Sequence, residues 1–281
     1  MIPSISSLYF SDYDIYKMPK TLLEGGFSAA EINQVHFNPF MRGEADVKEY
    51  KKYIDDLGFS FPQGHFVFMN EGNITSVDNE YAIGNLKRNL DIFHTLGVKC
   101  AVIHYSNFGT DIVPIEDWFD VRVDALNKLI KHIEGTDMII CLENLSRVHD
   151  IDAGHLLKMC KAVDNPKHIG ICLDTGHLNV AQKGNQYDFI MQAGDWLKAL
   201  HIHDNRGPYY GLEGLPCDWH IMPFAGGNVN WNDVKRGLVD AKYQGAFNFE
   251  LGEVRFADEK MRKIILKHLL EMYKTFFDFD I

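Results

Sequence analysis

Residues 169–177 read IGICLDTGH, an apolar run that ends in Asp174, with His177 three positions on. A run this apolar suits a strand buried between two packed layers, where a carboxylate is costly unless something pairs with it. A cap on the following turn would explain one such aspartate. The pattern recurs, however. Other short apolar runs place His65 in PQGHFVF, His104 in AVIHY, Glu143 in IICLEN, His201 in LKALHIH and Glu250 in FNFELG at or near their carboxyl ends. Asp218 and His220 add a D-x-H pair, whose side chains point the same way in extended chain. All of these are metal-ligand types, and none is Lys or Arg. Gathered in one place, the carboxylates of Glu143, Asp174, Asp218 and Glu250 would repel, and several would have to take up protons. A divalent cation supplies the missing positive charge. Mixed imidazole and carboxylate ligation suits zinc, manganese or iron, and the absence of cysteine argues against a structural zinc knot.

Such residues need a scaffold that brings many strand ends to one face. The 281 residues, 46% of them hydrophobic, alternate short apolar runs with amphipathic segments, and no linker or low-complexity tract divides them. The runs predict strands at 5–10, 29–37, 59–68, 99–105, 138–144, 169–175, 197–204 and 246–252. Apolar residues at three- and four-residue spacing predict helices clearest at 78–96, 116–134 and 258–277. Eight alternations in a chain of this length fit a single-domain (β/α)8 TIM barrel over residues 1–281, whose active sites lie at the carboxyl ends of the strands. A doubly wound open sheet fits less well, because no glycine-rich phosphate loop follows the first strand.

Composition narrows the partners. A formal net charge of -11 leaves no broad cationic footprint for nucleic acid or an anionic membrane. The five cysteines contain no C-x-x-C pair and three sit in or beside apolar runs, as in a reduced cytoplasmic protein. MIPSISSLYF has no basic stretch or long apolar segment, so no signal peptide is expected. No apolar segment approaches the ~20 residues of a membrane span.

The motifs IHYSN, CLENLS, CLDTGH, ALHIHDN, D-x-H at 218–220 and NFELGE, in this order, resemble those of the xylose isomerase-like barrel superfamily, across nearly the whole chain. That superfamily includes sugar isomerases, sugar epimerases and endonuclease IV. The resemblance implies a single-metal set of Glu143, Asp174, His201 and Glu250, as in the epimerases. It also implies five further ligands, His65, His104, His177, Asp218 and His220, which complete the three-zinc pattern of endonuclease IV. His65 is the loosest match. The family places the seventh-strand ligand three residues before an acid, here Asp204, which favours His201; His203 shares its face by alternation and is the fallback.

One to three ions, zinc or manganese, are therefore expected. For an isomerase or epimerase the metal would polarise adjacent sugar oxygens as a Lewis acid, while Glu143 and Glu250 move protons through an enediolate-type step. Arg206 and His177 are candidates for holding substrate. The alternatives are an endonuclease IV-like zinc phosphodiesterase and a barrel subunit that needs a partner. Residues 105–115 contain no Lys or Arg, and residues 204–230 contain only Arg206, which suits a small carbohydrate better than duplex DNA. Assembly as a homo-oligomer is left open.

Overall fold

A computed structural model describes residues 1–75, 79–106, 118–146, 151–181, 185–207, 218–252 and 258–278. Eight parallel strands form the centre: β1 Ile2–Ile5, β2 Ala29–Ile32, β3 Ser60–His65, β4 Cys100–His104, β5 Ile139–Glu143, β6 Ile169–Asp174, β7 Leu197–His201 and β8 Ala246–Phe249. β2 to β7 pair in chain order, and β1 pairs with β8. Single bridges from Ser6 to Glu31 and from Ile202 to Phe249 join the two sheets. The second junction carries hydrogen bonds from Ile202 N to Asn248 O (2.8 Å) and from Glu250 N to Ile202 O (3.1 Å). The fold is the expected TIM barrel.

The helices wrap the outside: α1 Lys17–Gly25, α2 Gln34–Met41, α3 Val47–Asp56, α4 Glu80–Leu96, α5 Phe119–His132, α6 Gly154–Ala162, α7 Thr175–Val180, α8 Gln186–Ala193, α9 Trp231–Asp240 and α10 Glu259–Asp278. Their buried faces, with Leu22, Phe93, Leu129, Ile190, Leu238 and Leu266, pack on outward-facing strand residues such as Ile103, Leu142, Ile171, Leu173 and Leu200. Period-two alternation turns the intervening residues inward. Inside, Val102, Cys141, Cys172 and Ala199 form a separate small-residue cluster.

Two strand expectations need correction. The first strand is Ile2–Ile5, not 5–10, because Ser6 accepts a hydrogen bond from Leu8 N and turns the chain into a 3-10 helix at Ser7–Phe10. The second ends at Ile32, not 37. Asn33 Oδ1 accepts from Gln34 N (2.7 Å) and caps α2, so the apolar residues of QVHF lie on a helix. The three expected helices are present, but the predicted starts at 78 and 116 lie outside the described residues. Among the described residues, no helix is long and apolar enough to cross a membrane.

Candidate metal centre

Each candidate side chain sits at a strand end or in a segment fastened to one. Asn144 ties the ends of β5 and β6 together: its amide donates to Asp174 O (3.0 Å), and its Oδ1 accepts from Asp174 N (2.8 Å). Asp174 also caps α7 by accepting from His177 N (2.7 Å), so the capping role and a metal-facing role fall on the same residue. Asp218 and His220 belong to a segment held by Asp204, whose carboxylate accepts from Val229 N (3.0 Å) and Trp231 Nε1 (2.9 Å). A backbone bridge between Asp204 and Ile221 and a bond from Gly252 N to His220 O (3.0 Å) bring His220 against β8.

The nine expected ligands converge in three groups, two of which share Glu143. Glu143 stands at the centre. One of its oxygens lies 3.4 Å from His65 Nε2 and 3.1 Å from His104 Nε2. The other lies 3.2 Å from His201 Nδ1, which is also 3.2 Å from Glu250 Oε2 and 3.8 Å from Asp174. The third group joins His177, Asp218 and His220, with His177 Nε2 2.8 Å and His220 Nε2 3.5 Å from Asp218 Oδ2. His203 belongs to this third group. The choice between His201 and His203 thus divides: His201 faces the four-residue group, and His203, whose Nε2 is 2.9 Å from Asp174, faces the other. His203 fits only because Gly176 has no side chain; a Cβ there would lie 2.0 Å from His203 Cε1.

Hydrogen-bond accounting tests whether a cation belongs here. His65 Nδ1 is 2.8 Å from Phe66 O, and His220 Nδ1 is 3.0 Å from Glu250 O. A carbonyl only accepts, so these Nδ1 atoms carry the proton and each Nε2 can turn a lone pair toward carboxylate oxygen. Glu143 Oε2, His201 Nδ1 and Glu250 Oε2 are buried with no hydrogen-bond partner, although they lie close together. Lone pairs facing one another at such distances need a positive charge between them. Two donors tetrahedrally bound to zinc at ~2.0–2.1 Å lie ~3.3 Å apart, and the spacings around Glu143 match. The residues present fit a divalent ion.

Without a cation, protons on the histidines supply part of the missing positive charge. Burial lowers the His65, His177, His201 and His220 imidazole pKa values, but neighbouring carboxylates outweigh it and hold the net values up, to about 9 for His220. Glu143 and Asp218 run the other way. Burial raises them, yet the surrounding histidines hold them well below the usual carboxylate range. Glu250 differs, because burial dominates and raises it.

A model of the xylose isomerase-like TIM barrel matches residues 20–272. The chain belongs to that family. Among solved structures it resembles D-psicose 3-epimerase from Clostridium cellulolyticum H10, at 19% identity over 99% of this chain and 100% of the other, with a TM-score of 0.78. An L-ribulose 3-epimerase aligns at 16% identity over 99% and 95%, with a TM-score of 0.77. At these identities the likeness establishes the fold alone. Among curated proteins, a probable endonuclease 4 of Ureaplasma parvum is 24% identical over 177 residues, 58% of this chain and 55% of that protein. An uncharacterized protein of Sinorhizobium fredii is 24% identical over 168 residues, 59% of this chain and 51% of the other. The chain spans about half the length of these curated relatives.

On this family frame, Arg206 sits on the exposed rim. Its guanidinium lies 5.5 Å from the Trp219 ring centroid and its Nε donates to Gly226 O (3.3 Å). Phe68 packs at 5.9 Å from His65 and 5.5 Å from His104, forming an aromatic wall. Residues 107–115 and 208–217, half of the cation-poor segments 105–115 and 204–230, lie outside the described residues. The sequence reading passed over Glu31 and Gln63, which lie fully inside the barrel behind His201. Glu31 shows the same signal as the others, an acid closing an apolar run. Reading the second strand through residue 37 put it in mid-strand and hid it.

Proposed function

We propose that this barrel is a metal-dependent isomerase or epimerase of a sugar or sugar derivative. The observation that carries this reading is the four-donor group of Glu143, Asp174, His201 and Glu250, in which two glutamates approach His201 Nδ1 at 3.2 Å each. A divalent ion there, zinc or manganese, would supply Lewis-acid polarisation of a carbonyl and its neighbouring hydroxyl. Glu143, Asp174, His201 and Glu250 would hold it, and the groups around His65/His104 and His177/Asp218/His220 offer places for up to two more.

The protein's own part is proton transfer. Without a cation, neighbouring histidines hold Glu143 low while burial raises Glu250, so the two carboxyl groups differ in proton affinity. Two carboxyl groups whose surroundings push them apart are suited to base and acid roles. Glu143 removes the C–H proton next to the carbonyl, and Glu250 returns one, so the net change is a moved or inverted hydrogen with no redox partner. Phe68 and Trp219 offer apolar faces beside the donors for the C–H side of a sugar, and His177 and Arg206 offer hydrogen bonds at the edge. Full-length likeness to sugar 3-epimerases supports the choice of substrate class.

The complete set of nine donors favours one other reading, a zinc phosphodiesterase of the endonuclease 4 type, to which several curated relatives are assigned. A duplex-cleaving enzyme has to neutralise several phosphates. The segments 105–115 and 204–230 bring one basic residue, Arg206, to that task. The deciding experiment incubates metal-loaded protein with a panel of ketoses in deuterium oxide and, separately, with abasic-site duplex DNA. Solvent deuterium incorporated at a substrate carbon, and lost in Glu143→Gln and Glu250→Gln, is the expected result. Efficient incision of abasic DNA without sugar exchange would replace this reading with the phosphodiesterase.

A further inference from the structure

The rim histidines are not equivalent in what stands behind them. His65 and His220 donate their Nδ1 proton to backbone carbonyls, of Phe66 and Glu250. The Nδ1 of His177 lies between Asn144 O (3.0 Å) and Glu143 (3.1 Å), itself a member of the centre. His201 is different. Its Nε2 lies 2.8 Å from Glu31 Oε2, a carboxylate that belongs to none of the donor groups.

Glu31 lies on β2, across the barrel from β7, and both side chains are fully buried. Its Oε2 also accepts from Gln63 Nε2 at 2.8 Å. Gln63 is in turn stitched to the residue before His201, donating to Leu200 O at 3.3 Å. Glu31 Oε1 has no hydrogen-bond partner. A buried carboxylate with a bare oxygen is expensive to keep. Its return must come from His201: accepting the Nε2 proton fixes the tautomer with Nδ1 bare, aimed at Glu143 and Glu250, and makes that nitrogen more basic.

We propose that Glu31 is a positioning residue that makes the Glu143–Asp174–His201–Glu250 group the tightest of the three cation positions, so that this position fills first. The inference rests on the metal reading above and deepens it. The charges rank the sites in the same order: this group holds three carboxylates, while the other two hold one each. Glu31 adds a further negative charge that is also felt at His65, but among the histidines it hydrogen-bonds His201.

The test is titration of Mn2+ into metal-free protein by calorimetry, with Zn2+ followed by competition against a chromophoric chelator. In wild type one ion binds more tightly than the rest. In Glu31→Gln that first step weakens by roughly 10–100-fold, the usual cost of losing an outer-shell partner. Later steps stay within about threefold, because Glu31 hydrogen-bonds none of the histidines in the other two groups. Glu31→Asp keeps the charge and recovers part of the loss. A merely structural role would weaken all steps together or lower the melting temperature of the metal-free protein. Uniform weakening, or an unchanged first step, overturns the inference while leaving the metal reading intact. Failure of wild type to bind either ion overturns both. If Glu31→Gln does not fold, nitrogen-15 NMR of zinc-loaded wild type gives an independent answer: His201 should hold its proton on Nε2 and zinc on Nδ1. The reverse arrangement would end the proposal.

Discussion

Two layers inside the same barrel, built by the same strands, carry opposite chemistry. At the carboxyl ends stand His104, Glu143, Asp174 and His201. Two residues earlier on the same strands and the same face stand Val102, Cys141, Cys172 and Ala199, all fully buried. The lower layer is small and apolar and asks nothing of its neighbours except volume. The upper layer gathers donors whose lone pairs and charges oppose one another unless a cation intervenes. A step of two residues, about 6–7 Å along a strand, therefore separates packing from chemistry. Substitutions in the two places should fail in different ways.

The largest effect is expected in the upper layer. Asp174→Ala or Glu250→Ala takes an anionic donor from the four-residue group. The protein should lose its bound metal, and activity should fall by roughly 10³-fold or more, since several kcal/mol of charge stabilisation disappear with the ion. Elemental analysis of the purified variants checks this directly. Metal content equal to wild type in both would sink the assignment of the centre. Dialysis of wild type against a chelator should abolish activity in the same way, and readdition of Mn2+ or Zn2+ should restore it.

Next comes the contrast between rim and core on neighbouring strands. Leu173 alternates with Asp174 and packs outward in the main core, fully buried. Leu173→Ala should cost roughly 2–5 kcal/mol of stability. Glu143→Ala, measured on metal-free protein, should cost clearly less, because Glu143 stands at the rim, where side chains serve function rather than stability. Denaturant midpoints of the two variants decide the point. If Glu143→Ala unfolds as severely as Leu173→Ala, Glu143 is chiefly structural.

The same two-residue logic explains what was legible in the sequence. Asp174, Glu143 and His104 stood out because each closes an apolar run, and a strand buried on both faces leaves only its end free to be polar. The barrel followed from eight such runs. What the sequence hid was local capping: Ser6 and Asn33 each turn an apolar stretch from strand to helix with a single side-chain hydrogen bond. The second of these concealed Glu31. The division of labour between His201 and His203 was equally hidden, since alternation puts both on one face. Only the β7 ending at His201 and the packing of His203 on Gly176 separate them.

The smallest effect concerns a histidine outside the centre and sharpens the contrast with those in it. His36, on α2, is 1% exposed, and burial pushes its imidazole down to about 4, with nearby backbone of Tyr13 and Phe10 opposing only in part. His65 and His201 are buried about as deeply, but there neighbouring carboxylates outweigh burial and raise the imidazole pKa. In the unfolded chain a histidine titrates near ~6.5. Between that value and about 4 the unfolded chain therefore binds the proton that folded His36 refuses, and stability falls as pH falls. The contribution is fully present above ~6.5 and lost toward 4, about 2 kcal/mol of it by pH 5. His36→Phe removes the titrating group. Between pH 7 and pH 5 this variant should lose about 2 kcal/mol less stability than wild type, measured by urea unfolding of metal-free protein. Parallel pH profiles for the two would show that His36 reaches solvent when protonated, and that burial alone does not set its charge.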